Sequence, residues 1–142
     1  YMLGNLYEDK EKSEQAYRLA ARGEFNLSSA MYYNDQPPQM MYYSAKAIEA
    51  LGDKDEAKKR FNAFIEYANK HMNDEMKIDY FAVSLPDFLI FEGDLNKNNK
   101  VHCNLMAALG YLGIGDNDNA QKYAKQGLEL NQCHAELRDI VK

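Results

Sequence analysis

The chain has 142 residues, 46% of them hydrophobic, which fits one compact domain or one piece of a longer solenoid and excludes wholesale disorder. Its net charge is −5, from 22 acidic and 17 basic side chains without a Lys/Arg cluster, which argues against nucleic acid as the main ligand. The longest apolar patch, Phe88-Leu89-Ile90-Phe91, falls far short of the ~20 residues that span a bilayer, so no membrane partner is expected.

In chain order, Leu3-Gly4-x-x-Tyr7 followed by Ala16 opens a partial repeat over residues 1–28 that lacks a turn glycine. An irregular stretch runs from Phe25 to Pro38, and Pro37-Pro38 excludes helix until Pro38 opens the next one. Residues 38–71 read as helix, Gly52-Asp53 turn, helix. Gly reaches left-handed dihedrals without a Cβ penalty, and the Asp that follows caps the next helix. An insert covers residues 72–100. Met76, Phe81, Val83 and Leu85 predict a helix over 75–83, and Ser84-Leu85-Pro86-Asp87 is a start signal for a short helix, Phe88 to Phe91, ending at Gly93. Asp94 to Asn99 reads as a polar turn. Residues 101–134 repeat the helix–turn–helix pattern around Gly115-Asp116, and 135–142 form a helical extension. No segment alternates apolar and polar residues over strand length, so an all-α chain is expected.

Laying Ala45–Glu66 over Ala108–Glu129, an offset of 63 residues, aligns Ala45/Ala108, Gly52/Gly115, Asp53/Asp116, Asp55/Asp118, Ala57/Ala120, Lys59/Lys122 and Glu66/Glu129. Gly52, Ala57 and Phe61 in one copy, and Tyr111, Gly115, Ala120 and Gly127 in the other, resemble the tetratricopeptide (TPR) motif. The resemblance implies a TPR-like helical-hairpin solenoid, stacked because one hairpin cannot bury its apolar face alone. A plain array repeats every 34 residues, so the longer offset here implies a helical insert between the last two repeats. Tyr32 to Pro38, Asp79 to Asp87 and Val101-His102-Cys103 further resemble the C-terminal TPR region of large bacterial proteins of unassigned function, in which a β-rich, mutarotase-like part precedes the repeats. That resemblance implies a place inside a larger polypeptide, with a link to carbohydrate metabolism, and supplies no catalytic residue. A chain opening at Tyr1 also reads as a fragment.

Candidate chemistries fare poorly. His102-Cys103 and Cys133-His134 are adjacent pairs that a hairpin brings towards each other, but consecutive helical residues point about 100° apart and hardly share one metal. No metal is expected. Asp94-x-Asn96-x-Asn98 opens like a calcium loop, but Asn99 and Leu105 stand where the loop needs Gly and an acid. Glycine-rich phosphate loops, G-x-S-x-G and H-E-x-x-H are absent, so neither a cofactor nor a catalytic residue is expected. Two cysteines are too few for a disulfide framework, and the cytoplasm is the default compartment.

The 11 tyrosines carry more information. Tyr7, Tyr111 and Tyr123 fall at packing positions, while Tyr32, Tyr33, Tyr42 and Tyr43 cluster near the prolines. With Met41, Ala45 and Ile48 on the packing side of the middle repeat, the opposite stripe is Gln39, Tyr42, Lys46 and Glu49; its counterpart in the last repeat is His102, Leu105, Leu109 and Leu112. Tyr32, Tyr33, Tyr42, Lys46 and Glu49 are the candidate partner-binding residues. Lys46, Tyr43, His102 and Met106 do not supply the Lys/Asn/Arg clamp of chaperone-binding TPR domains. Residues 76–91 are expected to dock on the repeats and cover the aliphatic stripe, because a monomer rarely leaves such a patch to water. The expected function is a non-catalytic interaction or scaffold domain that binds a protein, a peptide or another domain of its parent. The alternative is an accessory domain shaping the substrate cleft of a carbohydrate-related enzyme.

Overall fold

The computed structural model describes residues 1–29, 36–76 and 94–142. Within them the chain forms α1 (Met2–Leu6), α2 (Lys10–Ala20), α3 (Pro38–Ala50), α4 (Lys54–His71), α5 (Leu95–Gly113), α6 (Asn117–Leu130) and α7 (Ala135–Val141). The described residues are helical with no strand, as the absence of period-two patterning requires.

The two hairpin turns are built identically. After α3, Gly52 N–H donates to Glu49 C=O and Asp53 N–H to Ile48 C=O; after α5, Gly115 N–H donates to Leu112 C=O and Asp116 N–H to Tyr111 C=O. Each is a Schellman closure, in which two orphan carbonyls of the helix end find donors at the cost of one left-handed residue. Gly52 (φ 103°) and Gly115 (φ 83°) supply that residue. The following aspartate then turns from donor to acceptor. Asp53 takes the amide of Glu56 at 3.0 Å and Asp116 that of Asn119 at 3.1 Å, so one residue both ends a helix and starts the next.

Successive helices pack antiparallel. Asn99, early in α5, donates to the His71 carbonyl at the end of α4, whereas Gly110 and Gly113, late in α5, lie against Phe61 early in α4. A Cβ on Gly110 would sit 2.7 Å from the Phe61 carbonyl oxygen, and one on Gly113 would sit 2.2 Å from the Phe61 ring. The two glycines therefore set how closely these helices approach. Gly127 does the same where α6 meets Asn104 and Leu137.

The core collects on α5, which touches α3, α4, α6 and α7. All eight residues from Cys103 to Gly110 are buried, as expected of a helix enclosed on every side. Met41, Phe61, Phe64 and Leu137 fill the space around it, and Met106 of α5 itself is fully buried among them. The N-terminal pair is different: α1 exposes Met2 (59%), Leu3 (57%) and Leu6 (78%), and α2 has no buried residue.

Several expectations need correcting. Leu95–Lys100 belongs to α5 rather than to a polar turn, with Asp94 as its cap through the Lys97 amide at 3.0 Å. Glu75 and Met76 are not helical, and the remainder of the helix expected over 75–83, with the segment to Gly93, lies outside the described residues. Tyr7, placed at a packing position by its spacing, is 42% exposed, because the chain leaves α1 in an extended conformation at that residue.

Candidate functional site

On α3, Pro37 precedes Pro38 at the first helical position, so the missing N–H costs nothing there. From this start Met41 and Ala45 point into the core, as the packing side requires, and Ile48 is partly buried against it. The opposite stripe is only half as open as the spacing implies. Tyr42 is 9% exposed, with its ring 5.5 Å from Tyr43 and 5.7 Å from Phe61. Burial above all, then Tyr1, Tyr43 and Glu49, pushes its phenol up to about 12. Tyr42 is thus a core residue, because Tyr1 and Tyr43 close over it as a stacked pair 5.8 Å apart. Lys46 and Glu49 are partly exposed and paired with each other one turn apart, and the Lys46 ammonium lies 6.0 Å from the Phe61 ring centre. Tyr32 and Tyr33 lie outside the described residues.

Along α5, Leu105 and Leu109 are buried and Leu112 is partly buried, so the aliphatic stripe is covered; of residues 76–91, expected to dock over it, all but Met76 lie outside the described residues. At the far end of α3, Gln39 Nε2 donates to Glu136 Oε1 of α7 at 2.9 Å, tying two helices that flank α5.

The His–Cys pairs diverge. His102 Nε2 donates to the Ser28 carbonyl at 2.8 Å, which fixes its proton on that nitrogen, while Cys103 turns inward to Asn99 Oδ1 at 3.7 Å. Burial, with a smaller contribution from Asp74, raises the Cys103 thiol to about 11, which disfavours its thiolate. Cys133 is exposed, and His134 Nδ1 lies 3.2 Å from Glu136 Oε2. Among the described residues no three His, Cys, Asp or Glu side chains converge as metal ligands would, and no helix is long and apolar enough to cross a membrane.

Sequence reasoning passed over one feature. Glu24 to Ser29 has no regular secondary structure and lies against α4 and α5. Phe25 meets the Phe64 ring edge-on at 5.6 Å, and the Arg60 guanidinium sits 5.1 Å from the Phe25 ring centre. Leu27 packs on the core two residues later. The signal available was the Phe-x-Leu spacing, one period of an extended chain with one face buried, inside a stretch too short to read as an element. No family model matches the chain, and no solved structure matches it.

Proposed function

We propose that this chain is a TPR-like, non-catalytic interaction domain that binds a protein or peptide, or another domain of a larger polypeptide. The observation that carries the reading is the pair of hairpins, α3–α4 and α5–α6, closed by the same Gly-Asp turn and packed against each other through Gly110 and Gly113. Repeated hairpins stacked this way build extended surfaces rather than enclosed reaction chambers. The step from architecture to binding is an inference by fold analogy. Support comes from α1, where three of five residues are exposed Met or Leu, a composition that suits contact with another apolar surface. On α3, Lys46 and Glu49 are the solvent-reaching members of the candidate set. The cytoplasm is the compartment that this reading assumes.

The test is a peptide-display selection against the purified chain, followed by competition with Lys46→Ala, Glu49→Ala and Leu6→Ser variants. Selected ligands should bind at micromolar strength and weaken at least about fivefold, roughly 1 kcal/mol, with one of the three. A selection that yields nothing above background would overturn the reading.

A further inference from the structure

We infer that the segment Glu24–Ser29 acts as an internal ligand, and that the surface it covers on α4 and α5 recognises a peptide of the form aromatic-x-aliphatic followed by a free carbonyl. The inference rests on the interaction reading above and specifies what is bound and how access is controlled.

The contacts of the segment have the grammar of extended-peptide recognition, in which alternate side chains enter subsites and the backbone supplies a polar anchor. Phe25 occupies an aromatic subsite, edge-on to Phe64 and beneath the Arg60 guanidinium. Arg60 is held for this role by Glu56 Oε1 at 3.0 Å and lies 3.4 Å from Ser44 Oγ. Leu27 packs on the core from the same side, whereas Glu24 and Asn26 point to solvent. The Ser28 carbonyl then accepts from His102 Nε2. His102, which anchors the Ser28 carbonyl, packs edge-on against Tyr67 at 6.2 Å, about two turns along α4 from Arg60.

The hold is light. No residue of the segment is fully buried, and among the described residues its backbone makes no hydrogen bond other than that to His102. By contrast Phe64 beneath it is completely buried while the segment is seated. Lifting the segment would uncover an aromatic floor, a cationic rim and an imidazole donor together. A ligand of the same chemistry competes for that site, and its apparent affinity is reduced by the fraction of molecules in which the segment is seated.

The experiment uses the full chain and a fluorescein-labelled peptide of the sequence Glu-Phe-Asn-Leu-Ser-Ser, read by anisotropy. In the Phe25→Ala/Leu27→Ala double variant the peptide should bind at least about tenfold tighter than in the unaltered chain. Replacing the peptide's Phe by Ala should remove binding, and His102→Ala in the double variant should weaken it several-fold. A double variant with unchanged helical circular dichroism and no gain in affinity overturns the inference. If the double variant loses its helical signal, nuclear magnetic resonance on the unaltered chain decides. Excess peptide should move the Phe25 and Leu27 side-chain resonances towards their unpacked positions, and unmoved resonances reject the inference. Display-selected ligands that bind through Lys46 or Glu49 with the segment seated would leave the interaction reading standing without this one.

Discussion

Helices α2 and α5 begin in the same way and end in very different surroundings. Asp9 accepts from the amides of Glu11 (2.9 Å) and Lys12 (3.2 Å) to start α2, and Asp94 accepts from Lys97 to start α5. Yet α2 has no fully buried residue, whereas α5 buries eight residues in succession. The difference lies in neighbours: α2 touches α1 and α3, and α5 touches four helices. Caps decide where a helix begins; packing decides how firmly it is held. Stability in this molecule should therefore rise from α2 towards α5.

The sharpest way to break that comparison is to remove matching bulk from each side of it. Phe64→Ala, beneath the segment and against α5, should cost about 3–5 kcal/mol in denaturant melts, while Leu19→Ala on α2 should stay within about 0.5 kcal/mol. Comparable losses at both sites would mean that α2 belongs to the same cooperative unit as α5.

Adding bulk asks the same question of the α4–α5 contact. Gly110→Ala gains up to ~1 kcal/mol of helix propensity but drives a methyl into the Phe61 carbonyl, which no rotamer relieves. A net loss of about 1–3 kcal/mol is expected, measured as a lower denaturation midpoint. A neutral result would show that α4 and α5 separate freely.

Caps give a smaller and finer contrast. Asp53→Ala should cost about 1 kcal/mol of global stability, because the helix it starts is locked into the core. Asp9→Ala should speed amide exchange in α2 and leave the melting temperature almost unmoved.

The smallest effects are pH limbs. The Asn119 side-chain amide, 2.7 Å from Asp116 Oδ2, and then its backbone N–H hold the Asp116 carboxyl below the usual value. The folded state thus favours the anion, a contribution complete above pH ~4 and lost as pH falls through the lowered value. Tyr42 behaves oppositely. With its phenol pushed up to about 12, folding favours the neutral form, fully so below pH ~10 and less as pH rises towards 12. Asp116→Asn should flatten the acid limb of melting temperature against pH, and Tyr42→Phe the alkaline limb; limbs unchanged by both would locate the sensitivity in other groups.

Much of this was legible. Gly52-Asp53 and Gly115-Asp116 announce both helix–helix turns because glycine suits the left-handed place and aspartate the cap that follows it. Other parts were hidden for physical reasons. Leu95-Asn96-Lys97-Asn98 looks like a turn because the start of α5 overhangs the core and displays no apolar period. Tyr42 reads as surface from its stripe, whereas part of its cover comes from Tyr1, 41 residues earlier, and from Phe61 on the next helix. The Gln39–Glu136 and His102–Ser28 hydrogen bonds join residues 97 and 74 positions apart, which no local pattern encodes.

The second of those separations has a consequence during synthesis. Phe25 and Leu27 leave the ribosome well before α4 and α5, the surface that shelters them. At about 5–20 residues per second, Ser28 waits roughly 4–15 s for His102 to be added 74 positions later. For that interval the nascent chain displays an unsheltered Phe-x-Leu element, open to whatever chaperone or neighbouring chain reads extended apolar sequence.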